Sequence, residues 1–166
     1  NGATRMVVAP GFGPSVISWT RHGEEGDNLY SFFPEPRGFS WTYPWFGGIH
    51  SILQPVEFWG NTGYLHLESI DGEPVEARDD RGITWRGVRL STRPQKRELR
   101  DIAVQIDLLT VGGSNVLKYI YRLTNLRATE QTVLAGNIVT AALGATPDAL
   151  VLWGENVRQE PGPFSA

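Results

Sequence analysis

Cysteine is absent from all 166 residues. The chain therefore has no disulfide, no thiolate metal site and no Cys nucleophile. That absence leaves the compartment open, because a domain of this length does not need covalent staples. Histidine is nearly as scarce, at three residues, His22, His50 and His66. They are not at helical metal spacing, and no HExxH pattern exists. The reading therefore carries no metal and no cofactor. Only two of the 15 basic residues are lysines, which reads as codon bias or thermal adaptation. An excess of positive charge is lacking too. The net charge is −3 and the pI near 5.6, which argues against a nucleic-acid or anionic-membrane surface. No apolar run approaches the roughly 18 residues needed to span a bilayer. No long amphipathic helix can be traced either, although the 40% hydrophobic content marks a globular chain.

Aromatic side chains, by contrast, are concentrated in one place. Residues 32–49 hold Phe32, Phe33, Phe39, Trp41, Tyr43, Trp45 and Phe46, interrupted by Pro34, Pro36, Pro44 and by Gly38, Gly47 and Gly48. Each proline lacks a ladder N–H, so the stretch reads as a loop and not as a buried strand. A long aromatic loop on a rigid scaffold fits a ligand platform. Flat apolar rings suit the C–H face of a sugar. The competing expectation is a lid folded back on the protein's own core.

Strand signals dominate the rest of the chain. Arg5–Ala9 is short and apolar, and Ser15–Arg21 alternates. A short strand is expected over Asn28–Phe33, and another over Ser51–Phe58, where Pro55 suggests an edge or a bulge. Gly63–Ser69 and Pro74–Arg78 flank Ile70-Asp71-Gly72-Glu73, whose Asp-Gly pair predicts a hairpin turn. Gly82–Thr92 alternates. Glu98–Val111 reads as a strand because Ile102, Val104, Ile106 and Leu108 keep period two. Gly112-Gly113-Ser114 predicts a turn into Asn115–Asn125, and Glu130–Thr140 follows in the same habit. Long alternating strands linked by hairpins predict an all-β fold, an antiparallel β-sandwich, as one domain over residues 1–166.

Three features resemble the galactose mutarotase-like, or aldose epimerase-like, supersandwich superfamily. They are the strand pair within Met6–Trp19, the run Tyr43-Pro44-Trp45-Phe46-Gly47-Gly48-Ile49, and the order Gly63-Tyr64-Leu65, Trp85, then Tyr121-Arg122-Leu123-Thr124-Asn125. The Pro-Trp-Phe-Gly run is the most specific of them. The resemblance implies a supersandwich of which this chain is the N-terminal part. The remainder of a longer polypeptide, or another copy of the chain, would then complete the sheets. It also implies departures at the chemistry. The family's sugar-binding loop carries His-Gly-Phe-x-Arg, and here Thr62-Gly63-Tyr64-Leu65-His66 stands in its place. The family's catalytic His is missing from Val133–Val139, and its catalytic Glu would lie past Ala166.

Opening a sugar ring requires a proton donor at the ring oxygen and a base at the anomeric hydroxyl of one bound sugar. His50, directly after the aromatic run, and His66, two residues before Glu68, are the candidates for such work. Against this, His50 also reads as a hydrogen-bonding strand residue, and His66–Glu68 as a surface ion pair. Glu57, Glu68, Glu76, Asp79 and Asp80 read as solvated carboxylates, and Asp79-Asp80 lacks the rest of a calcium loop. Arg86 and Arg89 flank Gly87 next to Trp85, where a guanidinium fork suits hydroxyls or a phosphate. The expected substrate-binding set is Trp41, Tyr43, Trp45, Phe46, His50 and Arg86. The sequence thus predicts a carbohydrate-binding, mutarotase-like β-sandwich without a complete catalytic pair. The alternatives are a divergent aldose 1-epimerase whose base lies outside this chain, and a structural or oligomer-forming sandwich. A soluble protein, cytoplasmic or extracellular, is expected, with a carbohydrate ligand and neither nucleic acid nor membrane as a partner.

Overall fold

Ile102, Val104, Ile106 and Leu108 recur at every second position, and all four are buried to within 3% of their surface. In an extended chain this spacing puts them on one face. They form the core side of β7 (Ile102–Thr110). The structure, a computed structural model, describes residues 1–11, 14–21, 32–39, 42–55, 65, 68, 70–140, 150–151 and 160–161. For 32–39, 42–47, 138, 140, 150–151 and 160–161 it describes the backbone.

Two antiparallel sheets sandwich the core. One contains β1 (Thr4–Ala9), β2 (Ser15–Arg21), β4 (Thr42–Pro55) and β3 (Phe32–Phe39) in the order β1-β2-β4-β3, with β9 (Val133–Thr140) also paired to β4. The other is a meander of β5 (Asp71–Arg78), β6 (Thr84–Thr92), β7 and β8 (Leu117–Asn125). A separate two-residue ladder joins β10 (Leu150–Val151) to β11 (Glu160–Pro161). Among the described residues no helix is long and apolar enough to cross a membrane. The all-β sandwich expected from the alternation is the fold observed.

The core is assembled from both sheets. Val16, Ile49 and Leu53 from the first meet Leu90, Ile102, Val104, Ile106 and Leu108 from the second, with Leu65 and Leu99 added from the connections. Two tyrosines lock the layers. Tyr119 on β8 meets the Ser51 hydroxyl on β4 and donates to the Pro14 carbonyl, 3.2 Å away. Burial pushes the Tyr119 phenol well above its ordinary pKa and the Tyr121 phenol up to about 12. On β2, Ile17 is an extra residue between the pairs Val7↔Ser18 and Val8↔Val16. This bulge keeps both Val16 and Trp19 buried.

The aromatic stretch departs from expectation. Residues 32–39 and 42–49 are not a loop but the antiparallel strands β3 and β4. The prolines are tolerated for a physical reason. Only Phe32↔Gly47, Arg37↔Trp45 and Phe39↔Thr42 are in register, so Pro34, Pro36 and Pro44 fall where the ladder is interrupted. The missing N–H groups therefore cost no regular ladder bond. Pro55 is the last residue of β4, opposite Val133.

Gly48 marks the point where β4 exchanges partners, from β3 to β2 and β9. Its φ is +72°, and a Cβ there would lie 2.1 Å from the Val16 carbonyl oxygen. Only glycine fits both constraints.

Other boundaries move as well. Asp71-Gly72-Glu73 lies inside β5, not in a turn. The hairpin to β6 is made instead at Asp79–Ile83, where Gly82 has φ +79° and its N–H donates to the Asp79 carbonyl at 2.9 Å. The Asp79 carboxylate is what fixes this turn. It accepts from the Arg81 and Ile83 amides at 3.0 and 2.8 Å and from Trp85 Nε1 at 3.0 Å. Local hydrogen bonding of this kind outcompetes the Asp-Gly signal eight residues earlier. The expected strand at Glu98 begins only at Ile102, because Leu99 anchors a turn in the core with no exposed surface. Gly112-Gly113-Ser114 does form the expected turn, with Gly113 at φ +71°.

Candidate functional site

Strand parity assigns a face to every side chain of β4. Ile49, Ser51 and Leu53 point into the sandwich, so His50, Ile52 and Gln54 stand on the opposite face. On that face His50 and Gln54 are polar and buried, whereas Ile52 between them is apolar and half-buried. His50 keeps 3% and Gln54 8% of their surface. Across the ladder, Ser15 opposes His50, and its hydroxyl lies 3.0 Å from His50 Nδ1. Four residues on, Gln54 Oε1 has no hydrogen-bond partner. A buried acceptor left unmatched costs about 1–3 kcal/mol, and nearly all such groups in folded proteins find a partner. The row Ser15, His50, Gln54 begins where the aromatic half of β4, with Tyr43, Trp45 and Phe46 on its backbone, ends at Gly48.

A second polar group lies on the outer face of the β5–β8 sheet. Asp107 alternates with the core residues of β7 and so faces away from them, yet it has no exposed surface. Arg89 grips it by a two-pronged pair, Nε to Oδ1 at 2.8 Å and Nη2 to Oδ2 at 3.1 Å, and Arg122 bonds its Oδ2 from the other side. The Arg89 hydrogen bond, helped by Arg122, holds the Asp107 carboxyl below its ordinary pKa against the opposing effect of burial. Turned so that its oxygen faces them, the Gln105 amide accepts from Arg122 at 2.7 Å and from Arg89 at 3.1 Å. At the near end of the same sheet, Arg127, Arg100 and Arg93 share Asp101.

The residues singled out in the sequence are only partly brought together. Tyr43, Trp45, Phe46 and His50 share β4, with the side chains of the first three outside the described residues. Trp41 and His66 also lie outside the described residues. Arg86 does not join them. It is on β6 of the other sheet, three-quarters exposed, and its Nε donates to Glu76 at 2.6 Å. Arg86 and Arg89 lie on opposite faces, as three-residue spacing on a strand requires. Glu68 is not a solvated carboxylate. It is buried to 7% and accepts from the Gln95 amide at 2.9 Å. Asp79 is committed to its turn, and among the described residues no group of three or more acidic or histidine side chains could hold a metal.

Sequence reasoning passed over Gln54, Ser15, Asp107 and Arg122. The signal for the last two was present. Gln105 and Asp107 on β7, and Lys118 and Arg122 on β8, occupy the parity opposite the core residues. Gln54 gave no such signal, because burial of the outer face of β4 cannot be read from alternation.

No protein-family model, no curated protein and no solved structure matches this chain.

Proposed function

We propose that this protein is a carbohydrate-binding β-sandwich of the mutarotase-like kind, which holds neutral sugar hydroxyls on the outer face of β4. The observation that carries the reading is the buried, unmatched Gln54 Oε1, four residues from His50 on the same face. A sugar hydroxyl is a donor that such an acceptor lacks, and because Oε1 is buried the Gln54 amide would turn outward to receive it. The Ser15–His50 pair stands on the same face. The aromatic β3–β4 hairpin supplies rings of the type that stack on sugar C–H faces. The resemblance of Tyr43–Ile49 to the mutarotase loop points the same way.

The reading is of binding without turnover. Among the described residues His50 is the single titratable side chain that β4 places on this face, whereas ring opening uses a donor and a base together. Screening the protein on an array of neutral oligosaccharides, and following the optical rotation of fresh α-glucose and α-galactose in its presence, tests both halves. Binding with no acceleration of mutarotation is expected. Acceleration above background would favour an aldose 1-epimerase. An array without any bound glycan would remove the carbohydrate reading.

A further inference from the structure

The outer face of the β5–β8 sheet carries a hollow of about 390 Å³, on the sheet opposite to Gln54. Its walls include Arg122, Gln105, Ser91, Thr124, Arg93 and Asp71. Register explains why they converge. Ser91 on β6 and Arg122 on β8 both oppose Gln105 on β7, and Thr124 opposes Ala103 two residues away. These six residues bring two guanidinium groups from two elements, two hydroxyls, one amide and one carboxylate.

The guanidiniums are oriented but not used up. Arg122 gives Nη1 to Asp107 and still exposes 49% of its side chain, and Arg93 exposes 62%. Asp107 is shared by two arginines and Asp101 by three, so the carboxylates hold the guanidiniums in place without matching their number. A fork fixed in this way is preorganised for a second planar oxyanion. Asp71 on the opposite wall repels a bare anion but accepts from hydroxyls. We propose that this hollow binds a hydroxylated carboxylic acid, with a sugar acid such as a uronate as the simplest class. The carboxylate sits on Arg122 and Arg93, and the ring hydroxyls reach Asp71, Ser91 and Thr124. This site is separate from the outer face of β4, and it stands even if the sugar reading there fails.

Titration of ¹⁵N-labelled protein with D-glucuronate, followed at the arginine Nε–H resonances, tests the proposal. Glucose, sodium sulfate and sodium chloride at matched ionic strength are the controls. Saturable shifts of Arg122 and Arg93 are expected with glucuronate and with none of the controls. Arg122→Gln should weaken glucuronate binding at least about tenfold, as loss of a charge-assisted bond does. Thr124→Val, at an exposed strand position, should weaken it about threefold and serves if Arg122→Gln does not fold. Equal shifts with sulfate or chloride would overturn the proposal. So would equal shifts of Arg122 and Arg93 with glucose, or wild-type affinity in Thr124→Val together with any folded Arg122→Gln protein.

Discussion

The Tyr121 hydroxyl, carried on β8, lies 2.6 Å from the Gly136 carbonyl oxygen on β9 of the other sheet and 2.9 Å from Asn137 Oδ1. Tyr121 thereby ties the two layers midway along the β4–β9 ladder, where Gly136 and Asn137 oppose Ile52 and Ser51. Tyr121 is also stacked on Tyr119, with ring centroids 5.4 Å apart, and the pair forms a polar seam inside an otherwise aliphatic interface.

Tyr121→Phe removes the seam's outer bond and leaves the ring. It should cost about 1–2 kcal/mol, read from urea denaturation. The pH dependence follows from the direction of the shift. A phenol whose pKa is raised on folding stabilises the fold below its unfolded value of about 10. That contribution is lost as pH rises toward the folded value of about 12. Tyrosinate absorbance near 295 nm should show Tyr119 and Tyr121 ionising only together with unfolding. Free titration of all five tyrosines near pH 10 in the folded protein would contradict the buried seam.

Gly48→Ala places a methyl group 2.1 Å from the Val16 carbonyl oxygen at φ +72°. The left-handed backbone alone costs about 1–2 kcal/mol for a residue with a Cβ, and the clash adds to it. A large fall in melting temperature is expected. Gly113→Ala, at similar φ but with no atom within 4 Å of the added Cβ, should cost only the backbone share.

Asp107→Asn removes the charge that organises Arg89 and Arg122. Because folding lowers the Asp107 pKa, its contribution is complete above the unfolded carboxylate value of about 3.9 and is lost as pH falls through the folded value. The variant should be less stable than the wild type at pH 7, and its stability should depend less on pH below about 4. Parallel acid limbs for the two proteins, measured by denaturant unfolding from pH 2 to 7, would show that the pair contributes nothing.

Asp79→Ala strips the β5–β6 turn of three acceptor bonds while leaving Gly82 to form it. The loss should be local, with faster amide hydrogen exchange at Arg81 and Ile83 and a changed Trp85 indole resonance. Slow exchange at both amides in the variant would contradict the carboxylate's role in holding the turn.

Alternation in the sequence located the core with little error. Ile102, Val104, Ile106 and Leu108 were read as one face and are one face, and the Gly112–Ser114 turn stands where expected. Errors arose where a local rule met a longer-range arrangement. Pro34, Pro36 and Pro44 argued for a loop, but an interrupted edge ladder accepts prolines, and whether a strand lies at an edge is a property of the whole sheet. Asp71-Gly72 looked like a turn until the Asp79 side chain supplied a better one. The candidate site was legible only in part. His50 stood out as a rare residue beside the aromatic run. Gln54 did not, because its significance rests on burial and on the lack of a partner, and both depend on the folded neighbourhood.

The most direct test of a sugar site on the outer face of β4 is calorimetric titration of the wild type and Gln54→Leu with the best oligosaccharide from the array, alongside their melting temperatures. Leucine removes an unmatched buried acceptor, so the variant should melt at or above the wild-type temperature. It should also bind the glycan at least about tenfold more weakly, the loss of roughly one 1.4 kcal/mol interaction. Equal affinity in the two folded proteins, or no heat of binding to the wild type, would contradict the account.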